Sequence, residues 1–129
     1  MNKVLILLVF AVLLLSSCGS DDRNKFVGGE LTVYYFDESE AKIAKEIAFF
    51  WRENGLLTGK QQDLQVQKDK NRFTVSMITS DPKNVKNMPI DEVSVLSQLK
   101  KKLYVEVFNR KSFTLEICNN RFETVYTVE

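Results

Sequence analysis

Apolar residues run unbroken from Val4 to Leu15, give way to small and charged residues as far as Gly28-Gly29, and from Glu30 onward recur with the periods of strands and helices. The stretch Leu31-Thr32-Val33-Tyr34-Tyr35-Phe36 is β-branched and aromatic, which predicts a largely buried strand. Asp37 or Ser39 then offers an N-cap, with Glu38 and Glu40 near the positive end of a helix dipole. In the helix so opened, Ile43, Ile47 and Phe50 lie at i, i+4 and i+7. Ala44, Ala48 and Trp51 repeat that spacing one position on, so the apolar stripe is wide, while Lys42, Lys45, Glu46 and Arg52 fall largely outside it. Asn54-Gly55 is the stop signal.

Beyond Thr58-Gly59-Lys60 the period shortens to two. Leu64 and Val66 alternate with glutamines, and Phe73, Val75 and Met77 alternate with Thr74 and Ser76. Lys68-Asp69-Lys70-Asn71 between them is turn-like, so these residues predict a hairpin with one buried face. A loop from Ser80-Asp81-Pro82 to Met88-Pro89 leads to a second helix, starting near Asp91, with Val93, Leu96, Leu99 and Leu103 inward. Lys100-Lys101-Lys102 sits near its negative end, and residues 104–108 fit either a short strand or the tail of the helix. Phe113, Leu115 and Ile117 then alternate with Thr114 and Glu116, Asn119-Asn120 favours a tight turn, and Phe122 to Val128 is again β-rich. The order β-α-β-β-α-β-β predicts a single α+β domain over residues 30–129, with one mostly antiparallel sheet and two helices packed on one face. The sheet's open face should carry Thr, Ser, Gln and Glu. An αββ unit occurs twice, yet the copies share no residue pattern, and no repeat is inferred.

The start of the chain has a different character. Asn2 and Lys3 precede an apolar run too short for a spanning helix, which needs about 20 residues, but of the length of a signal-peptide core. Leu15-Ser16-Ser17-Cys18 resembles the lipobox of bacterial lipoproteins, in which a branched residue and two small ones precede a cysteine. The resemblance implies that Leu15, Ser16 and Ser17 are recognised by a signal peptidase. It further implies that residues 1–17 are removed, and that Cys18 carries a diacylglyceryl group and an acyl chain such as palmitate. Several acyl chains exceed the roughly two-signal threshold for stable membrane anchoring. Residues 18–29 then form a lipidated tether. An ordinary signal peptide would instead leave Cys18 as a free or paired thiol. Ser20-Asp21-Asp22 resembles the short acidic signal by which some Gram-negative bacteria export lipoproteins to the cell surface. The implied location is the outer membrane with display at the cell surface, the periplasmic face being the alternative.

Composition narrows the chemistry. Cys18 and Cys118 are the only cysteines, so a lipidated Cys18 leaves Cys118 without an intrachain partner and the fold without a disulfide framework. Removing 17 of the 129 residues leaves 112, enough for one core, and the loss of Lys3 takes the formal charge from +1 to zero. A neutral chain with dispersed charge is a poor nucleic-acid binder. Histidine is absent, which removes Ser-His-Asp and Cys-His catalysis and most zinc sites. No phosphate-loop spacing surrounds Gly28-Gly29 or Gly55.

The remaining candidates have plain structural explanations. Asp37, Glu38 and Glu40 suit helix capping, and Asp81 and Asp91 suit turn and cap positions. Cys118 ends a strand and reads as a small buried residue. Of Phe49, Phe50 and Trp51, helical spacing leaves Phe49 as the one whose exposure would mark a contact site. Lys100-Lys101-Lys102, Lys83 and Lys86 are candidates for anionic headgroups beneath a tethered domain, although solvation of a helix end explains the first three. The expectation is a lipid-anchored, noncatalytic binding or assembly module of the bacterial cell envelope, with an envelope protein as partner and neither cofactor nor metal. The alternative is a small carboxylate-dependent envelope enzyme or small-ligand-binding protein. It is favoured if several of Asp37, Glu38, Asp81, Asp91 and Glu116 converge in one concave pocket with raised pKa values.

Overall fold

The structure is a computed structural model that describes residues 23–129. The signal peptide and lipobox (Leu15, Ser16, Ser17, Cys18) and the acidic triplet Ser20, Asp21, Asp22 lie outside the described residues. Among the described residues, six strands and two helices follow one another as β1 (Asn24–Gly28), β2 (Leu31–Tyr35), α1 (Glu38–Glu53), β3 (Gln62–Asp69), β4 (Arg72–Ile78), α2 (Ile90–Glu106), β5 (Phe113–Cys118) and β6 (Thr124–Thr127). A 3-10 turn, Pro82–Asn87, precedes α2. The strands form one sheet in chain order, β1-β2-β3-β4-β5-β6. Pairs β1–β2, β3–β4 and β5–β6 are antiparallel hairpins, and pairs β2–β3 and β4–β5 are parallel, each joined by a helical crossover. The predicted α+β class, the mostly antiparallel sheet and the two-helix face are all present.

Two details differ from the sequence pattern. The sheet begins at Asn24, so residues 24–28, predicted as part of a solvated tether, are its first edge strand. Phe26 pairs with Val33 and packs against the core, while Val27 on the other side is 56% exposed. Gly29 turns the chain at φ +64°, a left-handed position that suits glycine. The ambiguous segment 104–108 is helical as far as Glu106, after which Val107 and Phe108 drop into the core.

The core lies between the helices and one sheet face. Leu31, Val33, Leu64, Val66, Val75 and Leu115 point into it from the strands, against Ala44, Ile47, Ala48, Phe50 and Trp51 of α1. Helix α1 opens with its expected cap: the Asp37 carboxylate accepts from the Ser39 N–H at 2.9 Å and from the Ser39 hydroxyl. Those bonds, the side-chain one first, hold the Asp37 carboxyl below the usual carboxylate range. Buried Glu40 accepts from the Phe36 N–H at 3.0 Å and locks the strand-to-helix corner. Helix α2 is seated differently. Leu103 is its only buried residue, Leu96 and Leu99 are half-buried, and Val93, predicted inward, is 38% exposed. Its first turns are the least covered, with Ile90 86% and Val95 63% exposed.

Candidate functional site

The β4–α2–β5 unit creates a groove where the chain leaves one parallel strand for the helix. Such crevices at the carboxyl ends of parallel strands are favoured ligand positions in open α/β sheets. Here Met77 and Ile78 of β4, Ile117 of β5, Met88, and Val95 and Leu96 of α2 line about 510 Å³. Two methionines give the floor an adaptable surface. Asp91 and Glu92 are the only charged residues lining the groove, and both lie in the first turn of α2, where they also offset the helix dipole.

At the opposite end of the sheet a second hollow, about 480 Å³, lies between α1, the β3–β4 hairpin and the loop from α2 to β5. Phe73 and Phe108 help to form its apolar lining, and Lys42, Lys68 and Lys111 line it together with Glu46. Lys68 Nζ stands 5.4 Å from the centre of the Phe73 ring, a cation–π arrangement. Lys42 Nζ is 3.9 Å from the Glu46 carboxylate, but at 85% side-chain exposure that pair contributes little.

The sheet face away from the helices is polar, as expected. The register aligns Lys25, Tyr34, Gln65, Ser76, Glu116 and Thr127 in one row across all six strands. Arg23 donates to Gln65 Oε1 at 3.1 Å, and its guanidinium lies 4.2 Å from the centre of the Tyr34 ring. Phe122, from the β5–β6 turn, meets Tyr34 edge-on at 6.0 Å and closes over the row. Thr124 donates its hydroxyl to Glu116 at 2.8 Å.

Membership of a family rests on the same folded region. The AF_1994_N family, a family N-terminal domain, matches residues 26–129. The chain belongs to this family. No curated protein and no solved structure matches it. The AF_1994_N match begins within β1, two residues after the first residue of the sheet.

In this AF_1994_N chain the carboxylates singled out in the sequence do not meet. Asp37 caps α1, Asp81 accepts from the Asn84 side-chain amide at 2.8 Å, Glu116 faces the open side of the sheet, and Asp91 alone lines the groove. Glu38 is exposed in the first turn of α1. These five carboxylates therefore do not share one pocket. The lysine run is partly occupied: Lys100 donates to the Val128 carbonyl at 2.9 Å and Lys102 to Asn54 Oδ1 at 2.7 Å, tying α2 to the chain's end and to α1. Phe50 and Trp51 are buried, and Phe49 is 49% exposed beside Glu46, Glu53 and Glu106. Sequence reasoning missed Lys42, Lys68 and Lys111, which stand far apart in the chain and come together only through the two crossovers.

Cys118 is free and fully buried. Burial pushes its thiol pKa up, against hydrogen bonds with Ser76 and Thr124 that pull it down, and the Glu116 charge adds to the rise. A thiol whose folded pKa is raised stays protonated at neutral pH, and its contribution to stability is fully present below the unfolded pKa and is lost as the pH rises from there through the folded value. Native protein should therefore resist iodoacetamide at neutral pH and become modified once urea unfolds it. Rapid alkylation of the native state, read by mass spectrometry, would contradict the buried placement.

Proposed function

We propose that this chain is a lipid-anchored, noncatalytic binding or assembly module of the bacterial cell envelope, whose groove beside α2 docks a segment of another envelope protein. One observation carries the reading: the groove, with exposed Ile90 and Val95 next to it, opens at the end of the sheet away from the point where the chain enters β1. A domain held at one end leaves its far end free for a partner. The charge of the lining specifies that partner. Met77, Met88, Leu96 and Ile117 accept apolar side chains, and Asp91 and Glu92 at the mouth favour a Lys or Arg beside them. The dispersal of Asp37, Asp81, Asp91 and Glu116 favours binding over carboxylate catalysis. Anchoring rests on the Leu15-Ser16-Ser17-Cys18 box, and surface display on Ser20-Asp21-Asp22.

A photo-crosslinking amino acid at Val95, introduced in living cells, tests the docking. The expected result is one discrete adduct whose joined peptide is apolar and carries Lys or Arg, and which Leu96→Asp removes. The same crosslinker at Phe49, outside the groove, should give none. Equal adducts at both positions, or a joined peptide without apolar and basic residues, would refute the groove as the docking surface. An unchanged Val95 adduct in Leu96→Asp would do the same.

A further inference from the structure

The strand directions place the chain's entry and the lysine hollow at one end of the molecule. Asn24 pairs with Tyr35, so β1 starts where β2 ends and α1 begins. Because β3 runs parallel to β2, antiparallel to β4, and β4 parallel to β5, the same end carries the β3–β4 turn, the last turn of α2 and the start of β5. Those are the elements that hold Lys42, Lys68 and Lys111. Phe36, 40% exposed, stands at the β2–α1 corner of that end, and Asn24 bonds its carbonyl at 3.4 Å.

We propose that this end rests on the membrane, with phosphates of anionic lipid headgroups seated among Lys42, Lys68 and Lys111. The proposal rests on lipid anchoring through Cys18, and it adds the face that meets the bilayer and the lipid chemistry it selects. Chain length supplies the first reason. Five residue-to-residue steps lead from Cys18 to Arg23, and at about 3.5 Å each they reach about 18 Å at full extension. The eight residues of β3 alone span about 26 Å. The entry end is therefore held near the headgroups, and the groove lies a full strand length further along.

Charge supplies the second reason. Three lysines and one glutamate line the hollow. Neighbouring in the chain are Lys70 and Arg110 on the positive side and Asp37, Glu38 and Asp69 on the negative, the Asp37 carboxylate being close enough to Lys68 to feel its charge. The excess is positive. Lys42, Lys68 and Lys111 are all exposed, with the Lys68 ammonium 5.4 Å from the centre of the Phe73 ring, and exposed Phe36 supplies an apolar contact at headgroup depth. By contrast, Lys83 and Lys86 sit on the 3-10 turn at the opposite end, so they are not the lysines that meet headgroups.

The test uses the mature lipidated chain, reconstituted into vesicles of phosphatidylcholine alone or phosphatidylcholine with phosphatidylglycerol. A fluorophore is attached at Asn71→Cys beside the hollow, or at Val95→Cys in the groove. Lipidated Cys18 and buried Cys118 leave the new thiol as the one labelled. A headgroup nitroxide should quench the Asn71 label in phosphatidylglycerol vesicles and not the Val95 label. Each Lys→Gln change at 42, 68 or 111 should lower the docked-to-undocked ratio about fivefold, and raised salt should release the domain. Equal quenching with and without phosphatidylglycerol, or no effect of the triple lysine variant, overturns the proposal. So does the same response of the Asn71 label to inorganic phosphate over neutral vesicles, which would assign the hollow to a soluble ion. A chain that fails to float with vesicles removes the lipid anchor itself, whereas one that floats unquenched removes only the membrane-facing end.

Discussion

Leu103→Ala is expected to destabilise the domain by about 2–5 kcal/mol, while Ile90→Ala changes stability by less than about 0.5 kcal/mol. Both residues belong to α2, Ile90 as its first residue and Leu103 in its last turn. Leu103 is fully enclosed and is the only buried residue of the helix, so its removal leaves a cavity where α2 meets the sheet. Ile90 is 86% exposed and touches little that a truncation would lose. Urea denaturation of the two variants, with unchanged slopes, measures the difference. Comparable losses at both positions would mean that the first turns of α2 are packed as tightly as the last, and the groove would then be closed. The contrast therefore tests the geometry from which the docking surface is built.

Cys18→Ala is expected to abolish lipidation and cleavage together. Peptidases that act on a lipobox require the lipidated cysteine, so the precursor should keep residues 1–17 and incorporate no labelled fatty acid. The folded region should be unaffected, because among the described residues its core draws on Phe26 to Val128. Fatty-acid labelling, precursor size and protease shaving of intact cells read the three consequences separately. Labelling that persists without Cys18 would remove the anchor and, with it, the reason for one end of the domain to face the bilayer. Shaving of the wild-type chain also separates surface display from the periplasmic face.

The parts of the fold legible in the sequence were those where one segment carries its own period. Helix α1 announces itself through a capping acid, a wide apolar stripe and Asn54-Gly55, and it buries Ala44, Ile47, Ala48, Phe50 and Trp51 as the stripe requires. The β3–β4 and β5–β6 hairpins follow from strict alternation, and with them the polar open face. Strand β1 escaped because Asn24-Lys25-Phe26-Val27-Gly28 turns only one large side chain inward, which leaves no alternation to detect. Val93 was misplaced because helical spacing fixes which face is apolar, not how far the sheet extends beneath it. The two hollows were illegible for a related reason. Lys42, Lys68 and Lys111 become neighbours only through parallel pairings that no local pattern encodes, and the groove needs the ends of β4 and β5 side by side.

The strands stand in the sheet in the order in which they are synthesised. Each new hairpin finds its docking edge already made by the one before it, and no strand must be inserted between two others. A polypeptide delivered N-terminus first through a narrow export channel can therefore fold vectorially, adding one hairpin-and-helix step at a time. Until the next step arrives, the growing edge opposite β1 is the newest strand, so an arrested intermediate would present β4 or β2 there to neighbouring chains. Completion makes β6 that growing edge's last strand, four residues with a register shift opposite Ile117 and Cys118, too short and irregular to template further pairing.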